Sequence, residues 1–293
     1  MKGQTGSGWL MMRVSGYNPP PNVWRASYSR KDENKLDKRS DIMHRHRLGW
    51  LAAAGGMIVG AWTWSGSTTG AAQAQEAPAS SAGGKIKTLL LVGGEIHDWK
   101  GIADVLEPVL KESGHFDVTR VEQKLDVLKA EAIKPYDLVI FYWTLGELAD
   151  ELKRGLFNHI AAGKGFATFH SGADSFRGDP DYRALVGGHF ITHPRYREYQ
   201  VSATENKSPI TKGIEEFMIT DEQYILDYDP RVNVLANALH KGQPMPVLWT
   251  KPWGKGRVFY SALGHDAKAV KQEMFQKTFL RGAQWAAGRD VKD

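Results

Sequence analysis

The sequence of 293 residues contains no cysteine. Disulfide bonds, metal sites with cysteine ligands and a cysteine nucleophile are therefore excluded, while either redox compartment remains compatible. The main part of the chain also lacks a basic excess. Residues 1–74 carry 10 Lys and Arg against 4 Asp and Glu, whereas residues 75–293 carry 28 against 29. Because the positive charge lies in the N-terminal quarter, we do not expect nucleic acid as a partner.

A segment near the start of the chain has the order of a secretory signal. His44–Arg47 is followed by the apolar run Leu48–Trp64, and then by a polar stretch that ends in Ala72-Gln73-Ala74. This charged, hydrophobic and A-x-A order predicts a signal peptide over residues 43–74, cleavage after Ala74 and a periplasmic or secreted product. No second apolar span follows, so no stable membrane span is expected after processing, and a permanent anchor is the weaker alternative.

The segments around this signal carry little patterning. Residues 1–42 are polar and precede a region that normally begins a chain, which favours Met43 as the true start. The alternative is a disordered cytoplasmic extension. Residues 75–84 are rich in Ala, Ser and Gly and predict a linker. The remaining residues, 85–290, are enough for one domain.

Apolar runs of strand length alternate with segments of helical period from Lys85 onward. The predicted strands of this region are Ile86–Val92, Asp117–Val121, Leu138–Trp143 and Gly165–Phe169. The predicted helices between them are Trp99–Ser113, Leu125–Ile133 and Glu147–Ala162. This order predicts a doubly wound, flavodoxin-like parallel sheet in a three-layer α/β sandwich.

The rhythm changes after Gly178, where extended segments predominate. These segments, after a short helix over Tyr182–Val186, are Glu198–Ala203, Glu222–Asp227, Val232–Leu239, Pro246–Thr250 and Arg257–Ala262. They predict an antiparallel extension at the sheet edge and one further core strand, before a closing helix over Val270–Ala287. Gly254–Arg257 is too short for a phosphate loop and predicts a hairpin turn, so no nucleotide cofactor is expected.

Polar side chains follow three of the predicted core strands. His97, Asp98 and Trp99 follow the first strand, His170-Ser171 follows Gly165–Phe169, and His265 follows Arg257–Ala262. In an open parallel sheet, ligands bind outside the carboxyl ends of the strands, so these side chains are candidates for one site. The turn at His170 resembles a nucleophile elbow in that it projects its first polar residue into the crevice.

Several of these residues have a structural interpretation as well. Asp98 can simply cap the helix that begins at Trp99. Ser171 can be a substitute nucleophile, although its flanks do not form a full G-x-S-x-G pattern. Aromatic residues such as Trp99 and Tyr224 suit the C–H faces of sugars, but such rings also fill ordinary cores.

Histidines and one carboxylate predict a metal site. His170, His193, Glu222 and His265 are loop residues, and neutral imidazoles with a carboxylate form a common ligand set for zinc. We therefore expect one divalent ion, most plausibly zinc, on these four residues, with His170, Glu222 and His265 also catalytic. His189 is a second choice as ligand. The alternative is a polar crevice without a metal.

Five segments in order resemble the ThuA-like (trehalose utilisation) family, whose fold is that of class I glutamine amidotransferases. These segments are Gly165–Ala173, Val186–Pro194, Asp221–Tyr224, Gly256–His265 and Phe279–Gly288. The resemblance covers residues 85–289. It implies the amidotransferase-like fold without the glutaminase cysteine, and a link to trehalose and related disaccharides, including forms oxidised on the ring.

When the family's motifs are carried over residue by residue, they fall on the candidate site residues named above. His170 matches the histidine of the turn after the fourth strand, His193 the His-Pro, Glu222 the acidic residue before tyrosine, and His265 the Gly-His. His97 fits the first-loop His-Asp-Trp. The predicted export signal does not fit a role in a cytosolic sugar pathway, because the exported protein would meet sugars outside the inner membrane.

Two functional hypotheses follow. The first is an exported enzyme, a hydrolase or lyase, that acts on a carbohydrate such as a glycoside or oxidised sugar. In this hypothesis, His97, Asp98, Trp99, Ser171 and Tyr224 contact the substrate. The second is a carbohydrate-binding module of the cell envelope without catalysis. Either can form a homo-oligomer.

Overall fold

The structure is a computed structural model, and it describes residues 84–204 and 207–293. The predicted extension 1–42, the signal peptide 43–74 and all but the last residue of the predicted linker lie outside the described residues. No helix among the described residues is long and apolar enough to cross a membrane.

Eleven strands form within the described residues. They are β1 (Ile86–Val92), β2 (Phe116–Glu122), β3 (Leu138–Tyr142), β4 (Gly165–Phe169), β5 (Gly188–Thr192), β6 (Arg197–Ala203), β7 (Glu216–Asp221), β8 (Ile225–Tyr228), β9 (Asn233–His240), β10 (Gln243–Trp253) and β11 (Gly256–Ser261). Nine of them join one sheet in the order β2-β1-β3-β4-β11-β10-β9-β6-β7, while β5 and β8 form a separate antiparallel pair.

The first five strands of this order run parallel and form the centre of the domain. Every residue of β3 and β4 is buried, as expected for parallel strands that are covered on both faces. The last four strands, β10, β9, β6 and β7, are antiparallel to their neighbours. The predicted doubly wound α/β fold with an antiparallel edge extension is confirmed.

Helices cover both faces of the parallel strands. They are α1 (Trp99–Glu112), α2 (Ala130–Ile133), α3 (Asp150–Ala161), α4 (Pro180–Val186), α5 (Ala267–Val270) and α6 (Glu273–Ala286). Helix α5 contacts both α1 and α6, and α2 contacts α3. Successive side chains of β11 point to opposite faces of the sheet: Phe259 packs against Phe279 of α6, whereas Tyr260 stacks on Trp249 of the neighbouring strand β10.

The strand order reverses beside β1, which has β2 on one side and β3 on the other. Loops that leave β1 and β3 therefore diverge and open a crevice at the carboxyl edge of the sheet. The loops after β4 and β11 end at the same edge, since these strands are parallel neighbours of β3. This edge carries the candidate site.

The structure differs from the predicted elements in several places. The predicted helix Leu125–Ile133 is a 3₁₀ helix over Leu125–Leu128 followed by α2. The predicted strand Glu222–Asp227 begins only at Ile225, and β5 and β7 were not predicted. The predicted closing helix begins at Glu273 rather than at Val270, which ends α5, because Gln272 between the two helices is extended with ψ of 135°. The side-chain amide of Gln272 accepts from the Thr220 N–H and donates to the Thr220 carbonyl, which holds the break in place.

Candidate metal centre

The site is built around His170, the first residue after β4. Its backbone has φ of +42°, a left-handed conformation that is uncommon for a residue other than glycine, and it opens a 3₁₀ turn over His170–Asp174. Gly172 permits the turn to lie against the strand, because a Cβ there would be 1.8 Å from Thr168 Oγ1. The predicted elbow-like turn is therefore present, and it directs a fully buried imidazole to the carboxyl edge.

The ring of His170 is oriented by a backbone carbonyl. Its Nδ1 lies 3.1 Å from the carbonyl oxygen of Ala262, which can only accept a hydrogen bond. Nδ1 therefore carries the hydrogen, and in the neutral ring Nε2 has the free lone pair. The ring of Tyr224 stacks on the same imidazole with 3.8 Å between ring centroids.

Three ligand atoms converge beside this lone pair. His170 Nε2 lies 3.1 Å from His265 Nδ1 and 3.4 Å from Glu222 Oε2, and the distance between His265 Nδ1 and Glu222 Oε2 is 3.2 Å. His265 follows β11, whereas Glu222 follows β7 at the far edge of the sheet. Three segments that are distant in sequence thus place a nitrogen or oxygen atom at each corner of one small triangle.

His97 completes the group from the loop after β1. Its Nδ1 lies 2.8 Å from the hydroxyl of Thr144, which follows β3, so its Nε2 is the ring nitrogen left for a ligand. The centroid of its ring lies 5.1 Å from the centroids of both the His170 and His265 rings. Burial and the neighbouring imidazoles lower the pKa of His97 to about 3, so this ring is neutral near pH 7.

The geometry and chemistry of these residues fit a zinc-type ion. His97, His170, Glu222 and His265 each offer one ligand atom, and these four atoms lie within 4.8 Å of one another. Ligand atoms at about 2.0–2.1 Å from a tetrahedral zinc ion lie about 3.3 Å apart. The three measured separations of 3.1, 3.2 and 3.4 Å are close to that spacing.

The electrostatics favour the ionised form of Glu222. Burial opposes its ionisation, but its interactions with the side chains of His170 and His265 outweigh burial and hold its pKa far below the usual range. The pKa of His265 is raised, because the hydrogen bond and charge of Glu222 overcome the effect of burial. Without an ion, the carboxylate therefore attracts a proton to His265, and a divalent cation would take the place of that proton.

His193 lies outside this four-residue group. Its Nδ1 is 3.0 Å from Oε1 of Glu222, the carboxylate oxygen that faces away from His170 and His265, and its side chain is 41% exposed. The sequence predicted His193 as the fourth ligand and His97 as a substrate contact. In the structure, His97 lies in the four-residue group and His193 lies beside it, so the ligand role of His193 stays a prediction. His189, the second choice, lies 3.9 Å from Asp227 on the β5–β8 pair.

The remaining predicted substrate contacts differ in exposure. Asp98 accepts the N–H of Gly101 at 2.9 Å and so caps α1, as its structural interpretation proposed. Trp99 is half-buried at the first turn of α1. Ser171 is completely buried, and the ring of Tyr224 is buried between His170 and Phe190. Substrate contact by Ser171 and Tyr224 stays a prediction, since both side chains are buried in this structure.

Two residues that hold side chains or backbone of the candidate site were not predicted from the sequence. Thr144 orients His97 through its hydroxyl, and Asp221 accepts the backbone N–H groups of Gly264 and His265. The signal for Thr144 was its position directly after a buried strand, the same rule that selected His170. Asp221 was part of the acidic pair before Tyr224, but only its neighbour Glu222 was assigned a role.

The family described as trehalose utilisation, ThuA, matches the chain over residues 87–286. The chain belongs to the ThuA family. The match includes all four residues of the candidate metal centre and confirms the resemblance seen in the sequence. No curated protein matches the chain.

Solved structures support the ThuA fold. A protein described as thua-like from Parabacteroides merdae ATCC 43184 is 24% identical, with a TM-score of 0.66, and the match covers 71% of this chain and 92% of that chain. A second protein with the same description, from Bacteroides uniformis ATCC 8492, is 17% identical with a TM-score of 0.59, and the match covers 72% of this chain and 95% of that chain. At these identities the likeness concerns the fold.

Proposed function

We propose that this ThuA-family protein is an exported, metal-dependent enzyme that processes a disaccharide or an oxidised sugar. The observation that carries the proposal is the convergence of His97, His170, Glu222 and His265, whose ligand atoms lie within 4.8 Å of one another at the carboxyl edge of the sheet. The family's association with trehalose utilisation supports a carbohydrate as substrate. When bound, a divalent ion supplies Lewis-acid polarisation of a substrate oxygen.

The histidines of the site have separate roles in this proposal. His170 is held with Nε2 toward the centre by the carbonyl of Ala262, and His97 is held by Thr144. The low pKa of His97 makes it a ligand that carries no proton near neutral pH. His193 is the most exposed imidazole of the site, and Glu222 links it to the buried ring of His170 and the half-buried ring of His265. His193 is therefore the residue best placed to exchange a proton between substrate and solvent.

The tautomer of His193 supports this role. Its Nδ1 lies 3.0 Å from Glu222 Oε1 and 2.9 Å from the carbonyl oxygen of Pro194. An ionised carboxylate and a carbonyl both accept, so Nδ1 carries the hydrogen and Nε2 has a lone pair. A histidine whose Nδ1–H is held by a carboxylate is also the arrangement of a general base in acyl-transfer enzymes.

Elemental analysis of protein purified without chelator or a metal-binding tag tests the centre. We expect close to one divalent ion per chain, and we expect it to be zinc because of the nitrogen and oxygen donors. Turnover is tested by incubating the protein with a panel of disaccharides and their 3-keto derivatives, with and without added metals. If none of these sugars is consumed under any of these conditions, the enzymatic proposal is contradicted.

A carbohydrate-binding module without catalysis is the second candidate, and Tyr196 favours it. Its ring is 38% exposed and its centroid lies 5.7 Å from that of the His265 ring, so an aromatic surface borders the crevice. Aromatic rings of this kind suit the C–H faces of sugars. Replacing His170 by Ala separates the two candidates: a binding module keeps its disaccharide affinity, whereas an enzyme loses turnover.

Export is proposed from the signal in the sequence. N-terminal sequencing of the mature protein from the producing cells should begin at Gln75, directly after Ala72-Gln73-Ala74. Full-length chain in the cytosol would contradict export, and uncleaved chain in membranes would favour an anchored protein.

A further inference from the structure

Glu222 reaches the candidate metal centre from an unexpected direction. It follows β7, the edge strand of the sheet, which is separated from β11 by β10, β9 and β6. Four strand spacings of about 4.8 Å would place β7 about 19 Å from β11 in a flat sheet. Nevertheless, Asp221 at the end of β7 lies 2.7 Å from the backbone nitrogen of Gly264, just after β11. The antiparallel extension therefore curves back over the carboxyl edge.

Asp221 makes the contact that closes this curve. Its Oδ2 accepts the N–H of Gly264 at 2.7 Å, and its Oδ1 accepts the N–H groups of Glu222 at 2.8 Å and His265 at 3.1 Å. The side chain is completely buried, and three backbone donors satisfy the carboxylate there. Two of these donors belong to residues of the candidate metal centre.

We propose that Asp221 is a positioning residue that fixes Glu222 and His265 at the distance a divalent ion requires. This inference rests on the proposed metal-dependent function. Asp221 holds the backbone of both residues and contributes no atom to the four-residue group. Its loss would free the β7 end from the loop after β11, so that the 3.2 Å separation of His265 Nδ1 and Glu222 Oε2 is no longer imposed by the backbone.

A neighbouring contact provides a matched control. Gln272 forms two hydrogen bonds with the main chain of Thr220, at 3.0 and 2.7 Å, and so ties the same end of β7 to the start of α6. It touches neither Glu222 nor His265 in the hydrogen bonds of the described residues. Asp221 and Gln272 thus both hold the same end of β7 through hydrogen bonds. Only Asp221 forms hydrogen bonds with residues of the candidate metal centre.

The test compares Asp221→Asn with Gln272→Ala in the otherwise unchanged protein. Zinc affinity is measured by competition with a chromophoric chelator, at a temperature well below the unfolding midpoint of each variant. Asp221→Asn is expected to weaken zinc binding by about tenfold to a hundredfold, as found for residues that orient metal ligands. Gln272→Ala is expected to leave zinc affinity within about threefold of wild type, since it removes no contact with a ligand. In a double-mutant cycle, Asp221→Asn should reduce zinc affinity by a smaller factor in the Glu222→Gln background than in wild type.

A metal-free measurement separates this inference from the proposed function. Amide hydrogen exchange of the apo wild-type protein should show protection at Gly264 and His265. Asp221→Asn should weaken this protection, because the amide keeps one acceptor oxygen for three backbone donors, while Gln272→Ala leaves it in place. If wild type binds no divalent ion but this protection pattern holds, the metal function is wrong and the closing contact remains.

Three results would overturn the inference. The first is rapid exchange at Gly264 and His265 in wild type. The second is unchanged zinc affinity in folded Asp221→Asn. The third is an equal loss of affinity in Gln272→Ala, which would make Asp221 a general support of the fold. If Asp221→Asn does not fold, Asp221→Ser replaces it, and the wild-type exchange measurement still decides.

Discussion

The carboxylate of Glu222 is shared between the interior of the site and its rim, because Oε1 lies 3.0 Å from Nδ1 of His193 while Oε2 faces His170 and His265. One carboxylate therefore links the buried imidazole of His170 and the half-buried one of His265 to the exposed one of His193. Under the proposed function the two sides have different uses, since a ligand set must be held rigidly and a group that exchanges protons must reach solvent.

Replacing His193 by Gln should separate these two uses. We expect His193→Gln to retain close to the wild-type metal content, because His193 lies outside the four-residue group, and to lower turnover by about 10² or more, as found for the loss of a general acid or base. Metal content is measured by elemental analysis and turnover on a sugar that wild type consumes. The control is His115→Gln, since His115 lies just before β2 at the opposite edge of the sheet. Loss of the metal from His193→Gln would instead make His193 a ligand.

Removing the metal should destabilise the protein. An ion that binds only the folded state stabilises it by about 2.7 kcal/mol at a concentration one hundred times its Kd. A chelator should therefore lower the unfolding midpoint in a thermal scan, and re-addition of zinc should restore it. His170→Ala and His265→Ala should abolish the response to chelator, whereas His159→Ala, on α3, should keep it. An equal response in all variants would place the bound ion elsewhere.

The turn at His170 should tolerate no side chain at Gly172. An added Cβ would lie 1.8 Å from Thr168 Oγ1, and that hydroxyl donates to the buried carbonyl of Phe141 at 2.7 Å. Because the hydroxyl cannot turn away without losing this bond, Gly172→Ala should cost about 1–3 kcal/mol in urea unfolding. Gly178→Ala, where nothing lies within 4 Å, should change stability by less than about 0.5 kcal/mol. Thr168→Ala in the Gly172→Ala background should recover part of the loss, and its failure to do so would remove the steric explanation.

The sequence predicted the parallel half of the domain, and it named three of the four residues that lie together in the candidate centre. Buried strands of apolar residues are strong signals: His170 directly follows β4, and His265 lies four residues after the end of β11. The strand-end rule therefore located their side chains. Glu222 was found through its loop position and the family resemblance, although the strand before it, β7, was not predicted. β7 is half-exposed and lacks a continuous apolar run, so its periodicity is weak.

Spacing in the sequence could not predict that His97, and not His193, lies in the four-residue group. Which of two loop histidines reaches the centre depends on a hydroxyl at Thr144, 47 residues away from His97, and on how far the antiparallel extension curves. That curvature is a property of the whole sheet, and Asp221 stabilises it through backbone contacts that leave no pattern in the sequence. The break at Gln272 was missed for a similar reason, since apolar periodicity continues through it and its partner is the distant Thr220.

Lys251 should make stability depend on pH at a place away from the candidate metal centre. Its ammonium group donates to the carbonyl of Ala184 and lies 5.3 Å from the ring centroid of Trp253, in a half-buried position on β10. Burial lowers its pKa to about 8, although the charge of Asp229 opposes this shift. The fold therefore disfavours the charged form of this lysine.

The direction of this pH dependence follows from proton binding by Lys251 in the folded and the unfolded states. Between pH 8 and the unfolded value of 10.5, the unfolded chain holds the proton of Lys251 and the folded protein has released it, so the stability that depends on this group rises with pH. Relative to Lys251→Met, the free energy of unfolding of wild type should increase by about 1 kcal/mol from pH 7 to pH 9. Urea unfolding of both proteins at the two pH values measures this difference, and other titrating groups cancel in it. Lys255→Met, in the exposed turn between β10 and β11, should show no such change. A difference between wild type and Lys251→Met that is constant from pH 7 to pH 9 would mean that the folded protein keeps Lys251 charged over that range.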